Sequence, residues 1–282
     1  MEREGASPLV HMVVILVCLA WILPTVGLLV SSFRPAHAVA SSGWWTVFLN
    51  PFDLTQYTLE NYRQVLGANG MGRAFINSVI ITVPSTVLTI AIAAFAAFAF
   101  AWFQFPGRDT LFLIVVGLLV VPLQMTLIPV LRLYGKLGLA GTFAGLWLAH
   151  VGYGLPFAIY LLRNFFGSLP SDLFESAYID GASPLTAFFR LGLPLSVPAL
   201  ASLAIFQFLW VWNDLLVGLI YLGGSPNVAP LTVRLSTLVG SYGQSWHVLT
   251  AAAFVSMAVP LVVFFALQRY FVRGILAGAV KG

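Results

Sequence analysis

The sequence predicts an all-α integral membrane protein with six transmembrane helices and a short two-helix elbow between the fourth and the fifth. Of its 282 residues, 60% are hydrophobic and only 8% are charged, whereas about 25% are charged in ordinary soluble domains. The mean hydropathy is +0.97. Six apolar segments are long enough to cross about 30 Å of hydrocarbon as helices, and a compact stretch with polar residues, glycine and proline interrupts them.

The six predicted spans are helical segments of 20 to 26 residues. They cover 9–30, 76–101, 111–131, 143–162, 199–222 and 248–267. The first is a retained span rather than a signal peptide, because its apolar run is long and no small-residue cleavage site follows it. Five spans contain proline: Pro24, Pro84, Pro122, Pro156 and Pro260. These prolines indicate simple kinks, or bends near Gln124 and Pro129 that open and close a pathway.

The segments outside the spans divide the chain into two predicted parts. Residues 1–74 hold the first span and an extracytoplasmic loop, and residues 75–282 hold the other five spans. In the loop, Trp44 and Trp45 suit the headgroup level of a bilayer, and Thr58 is placed to cap a short helix. Residues 102–110 resemble a turn, and residues 223–247 form a loop rich in Gly, Ser and Pro.

The charges indicate an orientation and exclude several classes of function. With six spans both termini share one side, which carries seven basic residues against six on the other. The seven are Arg3, Arg108, Arg163, Arg190, Arg269, Arg273 and Lys281, and the six are Arg34, Arg63, Arg73, Arg132, Lys136 and Arg234. The excess favours cytoplasmic termini. No basic run suggests nucleic acid, and Cys18, the only cysteine, can form neither a disulfide within the chain nor a cysteine metal site.

The elbow between the fourth and fifth spans, at about 168–198, has the local chemistry of two short helices. Asp172 is placed as an N-cap, with Glu175 at the third helical position as in a capping box. Gly181 is placed to end the first helix in a left-handed conformation. Ser183 and Pro184 then suit the cap and first position of a second helix.

Both short helices carry an apolar face at helical spacing. One consists of Leu173, Phe174, Ala177 and Tyr178, and the other of Leu185, Phe188 and Phe189. Pro194 and Pro198 are expected to end the second helix and lead into the fifth span. Helices this short are marginal alone, so either the rest of the chain or a partner must hold them.

The elbow resembles the cytoplasmic loop of ABC importer permeases, whose pattern is E-A-A, three residues, G, nine residues, I-x-L-P. Glu175, Ala177, Gly181 and the pair Leu193–Pro194 match that spacing, while Ser176 and Leu191 replace Ala and Ile. Further stretches from about residue 75 onward, among them "VPLQMTLIPV", "FLWVWNDLL" and "LQRYFVRGILAGAVKG", resemble the maltose-type carbohydrate permeases. The segments "WILPTVGLLVSSFRP" and "SSGWW" resemble the α-glucoside branch.

This resemblance implies the type I ABC importer permease fold and the role of a pore subunit in a prokaryotic inner membrane. The implied partners are a second homologous permease, two ATPase subunits that bind ATP and Mg, and an extracytoplasmic solute-binding protein that delivers a sugar. The elbow would be the coupling helix on the ATPase, and the C-terminal tail would also approach the ATPase pair. The residues implied in coupling are Glu175, Ser176, Ala177, Asp180, Gly181, Ala182, Leu193 and Pro194. For Glu175, capping of its own helix and contact with the ATPase both stay open.

Polar residues inside the apolar segments are the candidates for a substrate pathway. Asp214 is the only acid in a predicted span, and a charge at mid-membrane costs about 2.5–3.5 kcal/mol on insertion scales, so it should face protein or a water-filled cavity. Its neighbours Asn213, Trp210 and Trp212 would suit a sugar. The alternatives are a polar lock to the sister permease for Asp214, and helix–helix hydrogen bonds for Gln124, Gln207 and His150.

The motifs of catalysis are missing from the sequence. The segment "YGKLG" lacks the spacing and hydroxyl of a phosphate-binding loop, and neither a metal-binding spacing nor a supported Ser/His/Asp set is present. The sequence therefore predicts that the chain is not an enzyme on its own. Two other classes of transport remain as alternatives: a permease for glycerol phosphate or polyols, and a secondary sugar transporter that works alone.

Overall fold

The computed structural model describes residues 7–68, 70–241 and 245–279, and within these ranges the chain is helical without β-strands. The predicted all-α class is confirmed. The chain divides into two compact units, one made of residues 1–72 and 234–258 and the other of residues 73–233 and 259–282. The division at residue 74, which follows from the order of the spans, stays a prediction.

Fourteen α-helices are labelled in chain order within the described ranges. The first seven are α1 (Pro8–Ser32), α2 (Ala36–Ser41), α3 (Glu60–Arg63), α4 (Met71–Trp102), α5 (Arg108–Gly117), α6 (Leu123–Leu137) and α7 (Phe143–Phe166). The others are α8 (Ser171–Ile179), α9 (Pro184–Ala187), α10 (Leu193–Leu195), α11 (Val197–Trp212), α12 (Leu216–Leu222), α13 (Leu231–Ser241) and α14 (Trp246–Ala279). Turns of 3₁₀-helix lie at Trp44–Leu49, Leu54–Gln56 and Leu118–Val120, and π-turns at Gln64–Ala68 and Phe188–Gly192.

Within the described residues, four uninterrupted helices are long and apolar enough to cross a membrane, and two bent pairs raise the number to as many as six. The four are Pro8–Ser32, Met71–Trp102, Phe143–Phe166 and Trp246–Gln268. Apolar side chains are exposed on all sides of α1, with Trp21 81% exposed. A helix that is apolar all round and little buried in its own chain suits a lipid environment.

In the first unit, the segment after α1 folds around two buried polar side chains. The Asn61 amide donates to the carbonyls of Ser32 and Arg34, at 2.9 Å each. The Arg34 guanidinium, 3% exposed, donates to the Ser42 carbonyl and hydroxyl. These bonds satisfy buried backbone groups that no regular ladder pairs. At the tip, hydrogen bonds from the hydroxyl and backbone N–H of Thr55 hold the pKa of Asp53 below its ordinary value.

The third and fifth predicted spans are both interrupted: the third at the proline that predicted a kink, and the fifth at a break that was not predicted. The third is bent by 102° between Arg108–Val120 and Leu123–Leu137. Pro122 stands at this bend with an extended backbone, ψ 123°, and its ring has no N–H to continue a helix. The fifth ends at Trp212 and resumes at Leu216 as α12. With 16 residues, α11 alone is about 24 Å long at 1.5 Å per residue.

Two further differences concern segments near the C-terminus. The predicted loop 223–247 contains the helix α13, Leu231–Ser241. The end predicted for the last span, near 267, agrees with the candidate span Trp246–Gln268, but the helix α14 itself continues to Ala279. Prediction missed α13 because glycine and proline signals mark its ends rather than its interior.

The core of the second unit is a cluster of phenylalanines on α4 and α7 that also receives the elbow. The centroid of the Phe98 ring lies 5.5 Å from that of Phe166 and 5.1 Å from that of Phe188. Trp102 packs on Phe174 with centroids 4.2 Å apart. Two side chains of the elbow, Phe174 and Phe188, are therefore part of the same core as the long helices.

Candidate functional site

The elbow turns at Gly181 in a Schellman motif. Its φ is +82°, a left-handed conformation that glycine adopts without strain. The N–H of Gly181 donates to the Tyr178 carbonyl at 3.0 Å, and the N–H of Ala182 to the Ala177 carbonyl at 2.9 Å. These bonds pair carbonyls that the end of α8 would leave open. The predicted glycine corner is present.

The predicted capping box is wrong. Helix α8 starts at Ser171, two residues earlier than expected, with Pro170 at the N-cap and without a side-chain cap. Asp172 lies inside the first turn, where a negative charge favours the helix N-terminus. Glu175 is exposed, and its carboxylate takes part in none of the ion pairs of the described residues.

The second helix starts as predicted and continues further. Ser183 Oγ accepts a hydrogen bond from the N–H of Thr186 at 3.2 Å, with Pro184 at the first position. The helix then passes through a π-turn and α10 to Leu195. Pro194 therefore does not end it, because at the start of α10 its missing N–H costs no bond. The chain bends by 74° before α11, at Ser196, which is fully buried.

Each apolar face predicted for the elbow divides into a buried and an exposed part. Phe174 and Phe188 are 1% and 2% exposed and hold the elbow in the core of its own chain. Leu173 and Leu185 are 44% and 62% exposed, and Ile179, which lies outside the predicted faces, is 86% exposed. Exposed apolar side chains next to a rigid corner are typical of a surface that meets a protein partner.

The residues implied in coupling lie in two groups along the elbow. Six of them, Glu175, Ser176, Ala177, Asp180, Gly181 and Ala182, surround the corner and are exposed or half-buried. Leu193 and Pro194 lie at the far end of the second helix, before the 74° bend. The motif therefore extends along the whole elbow, from α8 to the bend before α11.

Asp214 lies at the break between α11 and α12 and caps the shorter helix. Its carboxylate accepts hydrogen bonds from the N–H groups of Val217, at 3.2 Å, and Gly218, at 2.8 Å. The same carboxylate lies 3.8 Å from Nε2 of His150 on α7, and Thr232 Oγ1 donates to the Asp214 carbonyl. These interactions explain how an acid is accommodated in an apolar segment, since backbone donors stabilise its oxygens.

The other residues predicted for the pathway occupy different environments. Trp212 is 1% exposed and stacks on Phe208 with centroids 5.6 Å apart, so it belongs to the core. Asn213 is exposed and donates to the Leu209 carbonyl at the end of α11. Gln124 is exposed on α6, beyond the bend. Trp210, 38% exposed, lines a cavity.

Two neighbouring cavities share the side chains of Tyr153 and Trp210. One, of about 280 Å³, lies between α7 and α11, and its lining residues are Tyr153, Gly154, Phe157, Phe206, Gln207 and Trp210. The other, of about 260 Å³, lies beside the bend of the third span and is lined by Leu118, Leu119, Val121, Leu123, Thr126, Gly152, Tyr153, Pro156 and Trp210. Neither lining contains a charged side chain.

A chain of hydroxyl groups beside these cavities was missed in the sequence. The hydroxyl of Tyr153 lies 2.7 Å from that of Tyr221 and 2.9 Å from that of Thr126. It connects α7 to α6 and to α12, the two helices that follow the interruptions of the third and fifth spans. Sequence reasoning looked for amides and acids in apolar segments and counted tyrosine as an apolar residue, although a buried tyrosine hydroxyl generally needs a partner.

An all-helical chain with apolar spans, an elbow between two of them and uncharged polar cavities has the features of a membrane transport subunit. The chain belongs to the family described as "Binding-protein-dependent transport system inner membrane component", whose model matches residues 70–277. It is thus a permease subunit of an ABC transporter in the inner membrane, a pore-forming rather than a catalytic component. The resemblance on which the sequence analysis relied is confirmed.

Several curated relatives cover nearly the whole chain. The osmoprotective compounds uptake permease protein GgtD of Synechocystis sp. is 63% identical and covers 96% of this chain and 91% of its own length. The alpha-glucoside transport system permease protein AglG of Rhizobium meliloti is 43% identical over 100% of both chains. A solved structure of a bacterial ABC transporter involved in alginate import matches with a TM-score of 0.79 at 22% identity, covering 96% of this chain and 100% of that chain. The fold is therefore that of type I ABC importer permeases.

Proposed function

We propose that this chain is the pore subunit of an ATP-driven importer for small neutral α-glucosides, including glycosides that serve as osmoprotectants. The names of the two relatives support the substrate class, since one takes up osmoprotective compounds and the other an alpha-glucoside. The observation that carries the choice is the lining of the cavity between α7 and α11. It combines aromatic side chains with Gln207 and Tyr153 and holds no basic group, as suits a neutral sugar.

A permease for glycerol phosphate or polyols is the second candidate. A phosphate group is normally met by Arg, Lys or helix N-termini. The side chains that line the two cavities include no Arg or Lys. Glycerol phosphate is therefore disfavoured, whereas a polyol remains compatible with the same lining. A secondary transporter, the other alternative, is disfavoured by the family, which depends on binding proteins.

The partners that we propose are a second homologous permease, two ATPase subunits and an extracytoplasmic solute-binding protein. ATP and Mg would bind to the ATPase subunits, since this sequence has no phosphate-binding loop of its own. The exposed corner of the elbow supports the contact with an ATPase. Its Schellman turn fixes the backbone, and Ile179 and Leu185 leave apolar surface for a soluble partner to cover.

In this proposal Glu175 contacts the ATPase rather than capping its own helix. Its carboxylate is exposed and α8 lacks a side-chain cap, so its acceptor oxygens remain available for a basic partner group. The elbow then lies in the cytoplasm together with both termini. The last residues of the tail, 280–282, lie outside the described residues, and their approach to the ATPase pair stays a prediction.

The proposal is tested by rebuilding the transporter in liposomes from all of its subunits. We expect trehalose, maltose or sucrose to accumulate only when ATP and the solute-binding protein are both supplied. Glycerol 3-phosphate is expected not to enter. Accumulation of sugar by this chain without ATPase and binding protein would show that it is a secondary transporter. Uptake of glycerol 3-phosphate but of no sugar would show that it is a glycerol phosphate permease.

A further inference from the structure

Pro84 interrupts the backbone hydrogen bonding of α4 near the middle of that helix. In an α-helix the carbonyl of Ile80 would accept a hydrogen bond from the N–H of residue 84, and proline has no N–H to donate. The indole of Trp147 on α7 supplies the missing donor, because its Nε1 donates to the Ile80 carbonyl at 2.8 Å. A side chain of another helix therefore replaces the backbone bond that the proline removes.

Two hydroxyl groups perturb the same part of α4. Ser85 Oγ donates to the Ile81 carbonyl at 2.7 Å, and Thr89 Oγ1 donates to the Ser85 carbonyl at 2.8 Å. Serine and threonine side chains that bond back to the preceding turn often bend a helix. Together with Pro84, they make this turn a weak point at which α4 can flex.

The part of α4 before Pro84 is bound to the segment that precedes α13. The Asn77 amide donates to the carbonyls of Asn227 and Ala229, at 3.0 and 3.1 Å. Ser78 Oγ accepts a hydrogen bond from the N–H of Leu231 at 2.8 Å. Asn77 and Ser78 are buried, and breaking buried hydrogen bonds leaves costly unpaired groups. This first half of α4 is therefore held to residues 227–231.

The part of α4 after Pro84 is bound to the elbow instead. The ring centroids of Phe95 and Phe98 lie 4.6 and 5.1 Å from that of Phe188, and Trp102 packs on Phe174. Aromatic contacts of this kind, in a closely packed core, move as one body. The two halves of α4 are thus fixed to different segments of the chain, and the weak turn lies between them.

We propose that Trp147 is a positioning residue for transport, whose indole holds the two halves of α4 together across Pro84 while the elbow moves. The inference rests on the proposed contact of the elbow with an ATPase. A movement of the elbow enters α4 through Phe98 and Trp102, and it passes to the first half of the helix across the weak turn. The bond from Trp147 to the Ile80 carbonyl keeps this turn stiff enough to transmit the movement. A continuous backbone ladder would make it too stiff to flex.

Trp147→Phe removes the donor and keeps an aromatic ring. In the transporter rebuilt with all subunits, sugar imported per ATP should fall about fivefold, the factor that corresponds to about one hydrogen bond. Stimulation of ATP hydrolysis by the loaded binding protein should persist, because the elbow itself is unchanged. The melting temperature of the purified chain, followed by circular dichroism, should fall by about 2–4 °C. Trp21→Phe, on the exposed surface of α1, is the control and should change none of these.

Pro84→Ala should have a different signature, because it restores a backbone N–H that can pair with the Ile80 carbonyl. The stiffer helix should keep or raise its melting temperature, while sugar uptake and stimulated ATP hydrolysis both slow about fivefold and the sugar imported per ATP stays constant. Pro24→Ala makes the same change in α1 and should leave both rates unaltered. A merely structural proline would not combine higher stability with slower transport, so wild-type rates in Pro84→Ala would overturn the proposal.

The double variant Pro84→Ala with Trp147→Phe separates the hydrogen bond from the packing of the indole. With a backbone donor at position 84, the loss of Trp147 should cost no further stability and no further sugar per ATP. If Trp147→Phe causes the same losses in both backgrounds, the indole acts by packing and the proposal is wrong. A wild-type transporter that imports sugar without its ATPase would instead refute the proposed function, and the role of Trp147 in transport with it.

Discussion

The capping role that the sequence suggests for Glu175 is found at Asp214 instead. Glu175 has the spacing of a capping box, yet its helix begins at Ser171 and its carboxylate is exposed. Asp214 lies in an apolar run, yet it caps α12 through two backbone N–H groups. Sequence analysis could not separate these roles, because the start of a helix is uncertain by one or two residues and a cap depends on that position.

Glu175→Gln tests whether this side chain contacts the ATPase rather than its own helix. We expect the variant to keep its stability, since α8 has no side-chain cap to lose, and to reduce ATP hydrolysis stimulated by the binding protein. Asp172→Asn, an equally exposed change on the same helix, is the control and should keep full stimulation. A Glu175→Gln protein that unfolds at a lower temperature, with unchanged coupling, would restore the capping role.

Asp214→Ala tests the cap at the break of the fifth span. Loss of a side-chain cap costs about 0.5–2 kcal/mol, which in a chain of this size lowers the melting temperature by about 1–8 °C. Asp214→Asn keeps an oxygen that can accept from the backbone, so it should lose about 2 °C or less by the same scale. Tryptophan fluorescence during heating of the purified chain in detergent measures both. Equal losses in the two variants would mean that charge, rather than capping, matters at this position.

At the scale of elements, the elbow was predictable because its signals are local. Gly181, Ser183 and Pro184 fix the corner and the second helix through bonds within a few residues. The break at Pro122 has a local cause in the proline ring, but the break at Asp214 depends on more distant groups. Thr232 donates to the Asp214 carbonyl and His150 approaches its carboxylate, and no spacing in the sequence reveals such partners. The sequence therefore predicts where spans lie better than where they break.

Gly181→Ala tests whether the corner transmits a movement. Alanine in a left-handed conformation costs about 1–2 kcal/mol. Gly107 is a matched control, because its φ is +76° and a Cβ there also meets nothing within 4 Å. Both alanine variants should lose similar stability on heating. Only Gly181→Ala should lower the sugar imported per ATP hydrolysed.

The comparison of the two glycines also shows how the coupling role would fail. If both variants import sugar with the same yield per ATP, the corner is only a helix end. If Gly107→Ala is the one that loses yield, the loop before α5 would be the coupling element instead. Measuring uptake and hydrolysis on the same liposomes prevents a difference in protein amount from imitating uncoupling.

For the whole molecule, composition predicts a membrane protein, but charge alone leaves the orientation nearly balanced at seven basic residues against six. The elbow provides a stronger argument. Its exposed apolar side chains flank a rigid corner, and the proposed partner is an ATPase of the cytoplasm. The segment between α1 and α4, with Leu54 82% exposed, then lies on the outer side. A reagent that cannot cross the membrane should therefore reach one of the two segments, and not the other, from a given side.

Single cysteines at Ser168 and at Leu54 test this orientation after Cys18 is replaced by alanine. Both positions are exposed. Ser168 precedes the elbow, so a cysteine there leaves the Ser183 cap and the corner intact. In intact spheroplasts, an impermeant maleimide should label Leu54→Cys and not Ser168→Cys, whereas inside-out vesicles should show the reverse. A permeant maleimide should label both, which shows that protection of Ser168→Cys comes from the membrane rather than from a bound subunit. Labelling of Ser168→Cys in spheroplasts would place the elbow outside, and the proposed contact with a cytoplasmic ATPase would then be physically excluded.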